Sequence, residues 1–136
     1  VGDGTDRERL QRKAEQLGLR ARVIFAGRIP EAEKVNHFRL ADAFVMPGSG
    51  EGFGIVYLEA MACGVPVVAS KLDASREAVL DGKIGGLVDP RVPEEVSSGM
   101  LAALRSPKGV PAGLNYFSSA QFQNRVNQIA RDLANN

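Results

Sequence analysis

A single cysteine, Cys63, and a single histidine, His37, stand in 136 residues that contain no tryptophan. One thiol cannot form an internal disulfide, and no cluster of His, Cys and Asp has metal-ligand spacing, so disulfide scaffolds and zinc modules are excluded. The cysteine usage is that of a reducing compartment. An excess of one charge is also lacking: 17 Lys and Arg stand against 16 Asp and Glu, for a net charge of +1. That balance excludes the basic footprint of a nucleic-acid-binding surface. No apolar run approaches the roughly 18 residues of a membrane span. The polar opening Val1-Gly2-Asp3-Gly4-Thr5-Asp6-Arg7 is no secretory leader. With 44% hydrophobic and 24% charged residues, the chain has material for one α/β-sized core and too little for two. Val1 reads as the last residue of a strand entering the turn Gly2-Asp3-Gly4, and without an initiator Met the sequence is expected to be part of a longer chain.

Strand and helix signals alternate. Leu10, Ala14 and Leu17 fall at helical spacing between Thr5 and Leu19, with Thr5 or Asp6 as N-cap and Gly18 near the stop. Arg22-Val23-Ile24-Phe25-Ala26 predicts a short strand, and Pro30-Glu31 opens a helix through Val35, Phe38 and Leu40. Ala43 to Met46 predicts a strand, Gly54 to Cys63 an apolar helix, and Val65 to Ala69 another strand. A short helix from Ser75 to Leu80, a strand at Gly86-Leu87-Val88 and a helix opened by Pro93-Glu94-Glu95 follow. Arg105 to Gly113 reads as a loop, and Ser118 or Ser119 caps an amphipathic helix carrying Phe122, Val126, Ile129 and Leu133. Strands apolar on both faces and separated by helices predict an α/β fold with a doubly wound parallel sheet.

In such sheets ligands bind beyond the carboxyl ends of the strands. The loop there that carries a signal is Pro47-Gly48-Ser49-Gly50-Glu51-Gly52-Phe53-Gly54, rich in glycine and running into a helix. Free amides and the positive end of the helix dipole make that junction suited to phosphate. Glu51 and Glu59 flank it. Glu59 lies roughly 7 Å along the helix from Gly54, about the offset between a diphosphate and the ribose of one nucleotide, and a carboxylate can accept from both ribose hydroxyls. It is the only charge between Ile55 and Cys63, and a lone buried charge is costly, so its presence argues for a ligand. Glu51 falls where the sugar of a nucleotide sugar lies. A Gly-rich turn before an apolar helix is also common α/β architecture, and a glutamate there can simply meet a neighbouring arginine. Spacing alone leaves both readings open.

The run Glu51-Gly52-Phe53-Gly54-Ile55-Val56-Tyr57-Leu58-Glu59-Ala60-Met61-Ala62-Cys63-Gly64-Val65-Pro66-Val67-Val68-Ala69-Ser70 closely resembles the E-x7-E signature region of the family 4 retaining glycosyltransferases of GT-B fold. Val1 to Gly4, Phe25-Ala26-Gly27-Arg28-Ile29 and Ala41-Asp42-Ala43-Phe44-Val45-Met46-Pro47 resemble other family segments in the same order. The resemblance spans Val1 to about Leu104, and more loosely Phe117 to Leu133. It implies that residues 1–136 are the C-terminal nucleotide-sugar-binding domain, the Rossmann-like half of a GT-B glycosyltransferase. The acceptor would then be held by an N-terminal domain absent from this sequence, together with the Arg and Lys that neutralise the leaving diphosphate. By resemblance Glu59 binds the ribose, Gly54 and Ile55 face the diphosphate, and Glu51 with Gly52, Phe53 and Gly54 binds the donor sugar. Glu51 is the residue assigned to catalysis, and Arg28 and Ile29 flank the base.

The implied donor is a UDP-, GDP- or ADP-sugar, with no cofactor and no metal. The implied setting is polysaccharide biosynthesis in the cytoplasm, at the inner face of the membrane through a peripheral contact of the absent domain. This chain alone is expected to transfer no sugar. Two departures from the family stand out: Leu72-Asp73-Ala74-Ser75-Arg76-Glu77 replaces the usual glycine pair, and Ser106 to Leu114 is short and rich in Pro and Gly. Rival readings are a GT-B-like epimerase, a pyridoxal phosphate-dependent phosphorylase, or a non-catalytic flavodoxin-like module, which would not need Glu59. Gly2-Asp3-Gly4 lacks the third glycine of a dinucleotide fingerprint, and there is no Walker lysine. His37 reads as a boundary residue, and Cys63 as packing.

Overall fold

A computed structural model describes residues 1–134, which form two compact units, Val1–Asn36 and a second from His37 onward. In the first, α1 (Arg7–Gln16) starts at Asp6. The Asp6 carboxylate does not cap the helix, because it is drawn to the Arg9 guanidinium at 2.7 and 3.0 Å. The strand expected at Arg22–Ala26 does not form. The Arg22 and Val23 amides both donate to the Leu19 carbonyl, at 2.8 and 3.0 Å, so a turn takes the donors a ladder would need. Ile24 is left 86% exposed. Helix α2 (Glu31–Leu40) follows, and the boundary between the units falls within it.

The second unit is built on three parallel strands, β1 (Phe44–Val45), β2 (Val67–Ser70) and β3 (Gly86–Val88), in the order β1-β2-β3. Phe44 pairs with Val67, and Ser70 with Val88. Every residue of β2 is buried, as a strand covered on both faces requires. Its side chains alternate between two cores. Val67 and Ala69 join Phe38, Tyr57, Met61 and Val79 on one face, where α3 (Ile55–Ala62) and α4 (Ser75–Ala78) pack. Val68 joins Val88 and Ala103 on the other, against α5 (Pro93–Arg105). This is the expected α/β sheet with helices on both faces.

The segment read as a loop up to Gly113 already turns into a 3-10 helix at Ala112–Phe117. Helix α6 (Ser119–Ala134) starts as expected, with the Ser118 hydroxyl accepting from the Gln121 amide at 3.3 Å. Its apolar stripe is uncovered, with Phe122 60% and Leu133 73% exposed. Among the described residues no helix is long and apolar enough to cross a membrane.

Two expectations follow from the packing and the charges. A Cβ on Gly85 would lie 2.5 Å from Val67 Cγ2 and 2.8 Å from Val79 Cγ1, both core atoms, so Gly85→Ala should lower stability by about 1–3 kcal/mol in urea unfolding. At the carboxyl end of β3, hydrogen bonds from the Arg91 side chain and amide hold the Asp89 pKa at about 2. A depressed folded-state pKa contributes stability above the ordinary carboxylate value that is lost as pH falls through the folded value. Asp89→Asn should therefore lower the urea midpoint near neutral pH, and its deficit should close between about pH 4 and pH 2.

Candidate functional site

The Gly-rich loop leaves the carboxyl end of β1 and enters α3, as the sequence predicts. The turn into the helix is made at Gly54, whose φ of 85° and ψ of 56° are left-handed. A Cβ there would stand 2.5 Å from Tyr57 Cδ2, so glycine is required twice, by conformation and by space. The Tyr57 side chain is fully buried, its ring meets Phe44 edge-on at 5.5 Å, and its hydroxyl donates to the Met46 carbonyl, where the loop begins. One side chain thus holds the start of the loop and the first turn of the helix. Burial pushes the Tyr57 phenol above its usual pKa, and the Asp73 and Glu51 charges add to this against an opposing hydrogen bond with Ser75. The phenol remains a donor at neutral pH.

The predicted residues of this unit come together around that turn. Ile55 is 66% exposed at the helix start, where the Tyr57 amide already donates to the Gly54 carbonyl at 3.0 Å and the Ile55 and Val56 amides have no preceding helical carbonyl. Glu59, one turn further on the same side of α3, is half-buried. The expectation that it is a lone charge needs correcting. Glu59 has a polar interaction of its own, so its presence among apolar residues does not by itself call for a ligand. Glu51 is half-buried before the turn, and its Oε1 accepts from the Gly52 amide at 3.1 Å. Phe53 is anchored edge-on against Phe117 at 5.8 Å, which leaves its main chain to line the loop. Arg28 and Ile29 belong to the first unit, Arg28 exposed and Ile29 half-buried after the buried Gly27. Among the described residues no group of three His, Cys, Asp or Glu converges on a common point.

Sequence reasoning overlooked what stands behind the loop. The run Leu72 to Glu77 showed only as a departure from a glycine pair, yet Asp73 in it reaches the loop. Its Oδ2 accepts from the Glu51 amide at 3.2 Å, and the Ala74 amide donates to the Glu51 carbonyl at 3.2 Å. Asp73 Oδ1 accepts from the Ser75 amide at 3.1 Å and the Ser75 hydroxyl at 2.6 Å. Desolvation raises the Asp73 pKa, but the hydrogen bonds from Ser75, Glu51 and Gly50 outweigh it and hold the carboxyl below the ordinary aspartate value. The usable signal was an Asp two residues before a Ser, the pattern of a side chain closing its own turn.

A family model described as glycosyl transferases group 1 matches residues 1–119. Curated relatives include a GDP-mannose-dependent alpha-(1-6)-phosphatidylinositol monomannoside mannosyltransferase of Mycolicibacterium smegmatis. It is 44% identical over an alignment of 119 positions, with 82% of this chain and 31% of the relative covered. A D-inositol 3-phosphate glycosyltransferase of Acidothermus cellulolyticus is 40% identical over 103 residues, 76% of this chain and 23% of that protein. Among solved structures, the sucrose-phosphate synthase of Thermosynechococcus elongatus superposes on 96% of this chain and 35% of its own, with a TM-score of 0.74 and 27% identity. WaaG, a glycosyltransferase involved in lipopolysaccharide biosynthesis, covers 78% of this chain and 28% of its own, with a TM-score of 0.65 and 26% identity. The chain therefore spans less than a third of the length of the two curated relatives described. On the match across residues 1–119, the chain belongs to the group 1 glycosyl transferases.

Proposed function

We propose that this chain binds the donor of a glycosyl transfer, a nucleotide diphosphate sugar, and presents the anomeric carbon of that sugar to an acceptor held by another domain. The observation that carries the reading is the left-handed turn at Gly54, which opens α3 between Glu51 and Glu59. The helix start faces the diphosphate, Glu59 takes the ribose hydroxyls, and Glu51 with the main chain of Gly52 to Gly54 takes the sugar. Bond breaking puts charge on the departing diphosphate, and oriented amides stabilise that charge without reorganising. Glu51 orients the sugar and steadies positive character on its ring, in a reaction that retains the anomeric configuration. The charge on the diphosphate is met by amides and by cations of the longer protein, with no metal required. The relative that uses GDP-mannose, by its name, makes that donor the first to try. A relative named for a phosphatidylinositol monomannoside supports an acceptor at a membrane surface, and the cytoplasmic face is the side we propose.

A thermal-shift panel of guanosine, uridine and adenosine diphosphates and their sugar conjugates, with and without a chelator, tests the reading. At least one pair should stabilise the chain equally in both conditions, and no shift with any of them overturns it. Glu59→Ala should weaken nucleoside diphosphate binding by roughly 1.5–3 kcal/mol, the scale of hydrogen bonds to a charged group. Unchanged affinity by calorimetry in a folded variant removes the ribose role. In an active enzyme containing this chain, Glu51→Gln should reduce turnover far more than it reduces affinity for the free diphosphate, because its effect belongs to the transition state. An equal loss in both measurements would place Glu51 on the nucleotide.

A further inference from the structure

We propose that Asp73 is a positioning residue that fixes where Glu51 stands against the donor sugar, an inference that rests on the donor-site reading above. Both main-chain polar groups of Glu51 are held by one turn, its amide by Asp73 Oδ2 at 3.2 Å and its carbonyl by the Ala74 amide at 3.2 Å. The bracket is anchored behind. Asp73 Oδ1 takes the Ser75 hydroxyl at 2.6 Å, and the fully buried Ser75 accepts through Oγ from the Ser70 amide at 3.1 Å, at the end of β2. A continuous line of hydrogen bonds thus runs from the central strand to the main chain of Glu51, and each donor along it finds an acceptor. The two carboxylate oxygens of Asp73 divide the work. Oδ1 closes the turn that starts α4, and Oδ2 faces the loop. The Glu51 carboxylate stays outside the bracket, on the Gly52 amide, so Asp73 sets the position of its backbone and leaves the side chain available to the sugar. Any family member with glycine at this place has no side chain to supply such an acceptor.

The division of work permits a test that a purely structural role would not pass. Asparagine has one acceptor oxygen. Turned toward the two Ser75 donors it keeps the turn and puts an amide donor against the Glu51 N–H, so Asp73→Asn breaks the bracket selectively. Ser75→Ala instead removes the buried anchor and leaves Oδ2 in place. Calorimetry of the 136-residue chain with GDP, GDP-mannose, UDP and UDP-glucose, and hydrogen exchange of the Glu51 amide by NMR, read the two effects. For the pair that binds, Asp73→Asn should weaken the sugar conjugate about tenfold, the equilibrium equivalent of one charge-assisted hydrogen bond, and the free diphosphate by less than about twofold. The Glu51 amide should exchange about tenfold faster in the same variant. Ser75→Ala should lower Tm and keep the ratio of the two affinities. An unchanged ratio or an unchanged exchange rate in Asp73→Asn overturns the proposal. If that variant does not fold, a wild-type Glu51 amide exchanging at the unfolded-chain rate overturns it as well. A wild-type chain that binds none of the four ligands removes the donor reading and the sugar-positioning role with it, and a protected Glu51 amide then separates that failure from a bracket that never forms.

Discussion

The close approach of the Gly54 main chain to the Tyr57 ring is the constraint on which the candidate site depends. A strand must become a helix within the nine residues from Met46 to Gly54, and it does so by one left-handed residue seated on an aromatic ring. The same ring sends its hydroxyl back to the carbonyl of Met46. The loop is therefore fastened at both ends by one buried side chain, and the amides at the start of α3 are aimed by the core rather than by the loop's own stiffness. A functional loop on rigid supports needs this arrangement, because glycines that permit a close approach to a ligand also add freedom that something must remove.

The central strand extends that support. Val67 and Ala69 face one core and Val68 the other, so β2 cannot slide by one residue without exchanging its two faces. Ser70, at its carboxyl end, is fully buried although polar. Its amide and hydroxyl are spent on Ser75 and on the Leu72 amide. A fixed strand end, a short polar turn and the glutamate loop thus lie in one hydrogen-bonded sequence, and the precision of the sheet reaches residues on an otherwise irregular segment.

Much of this was legible in the residues. The period change from β1 to α3, the proline at the start of α5 and the capping serine before α6 are local signals, and each structure formed where its signal stood. The glutamates on either side of the helix start stood in the sequence, and helical spacing sets the distance from Gly54 to Glu59 but not to Glu51, which lies in the loop. What escaped was not local. The run at Arg22–Ala26 has the composition of a strand, but a strand is made by the partner that accepts its amides, and here Leu19 takes two of them. The isolation of Glu59 was inferred from its sequence neighbours, whereas its polar partner is set by the fold. Asp73 stands 22 residues from Glu51, and nothing in the composition of either segment shows that the two meet.

The carboxylate of Glu51 resting on the Gly52 amide has a consequence for selectivity among small anions. An amide that points into empty solvent is open to any free phosphate or sulfate that diffuses past. Here the incoming anion competes with a carboxylate tethered one residue away, whose effective concentration is on the order of millimolar or higher. A small anion displaces it only at comparable abundance. A ligand that offers the glutamate something else to hold, such as the hydroxyls of a sugar, compensates for the exchange as it binds. On the proposed donor reading, the Glu51 carboxylate competes for the amide beside it, and ligands are selected by what they bring beyond their charge.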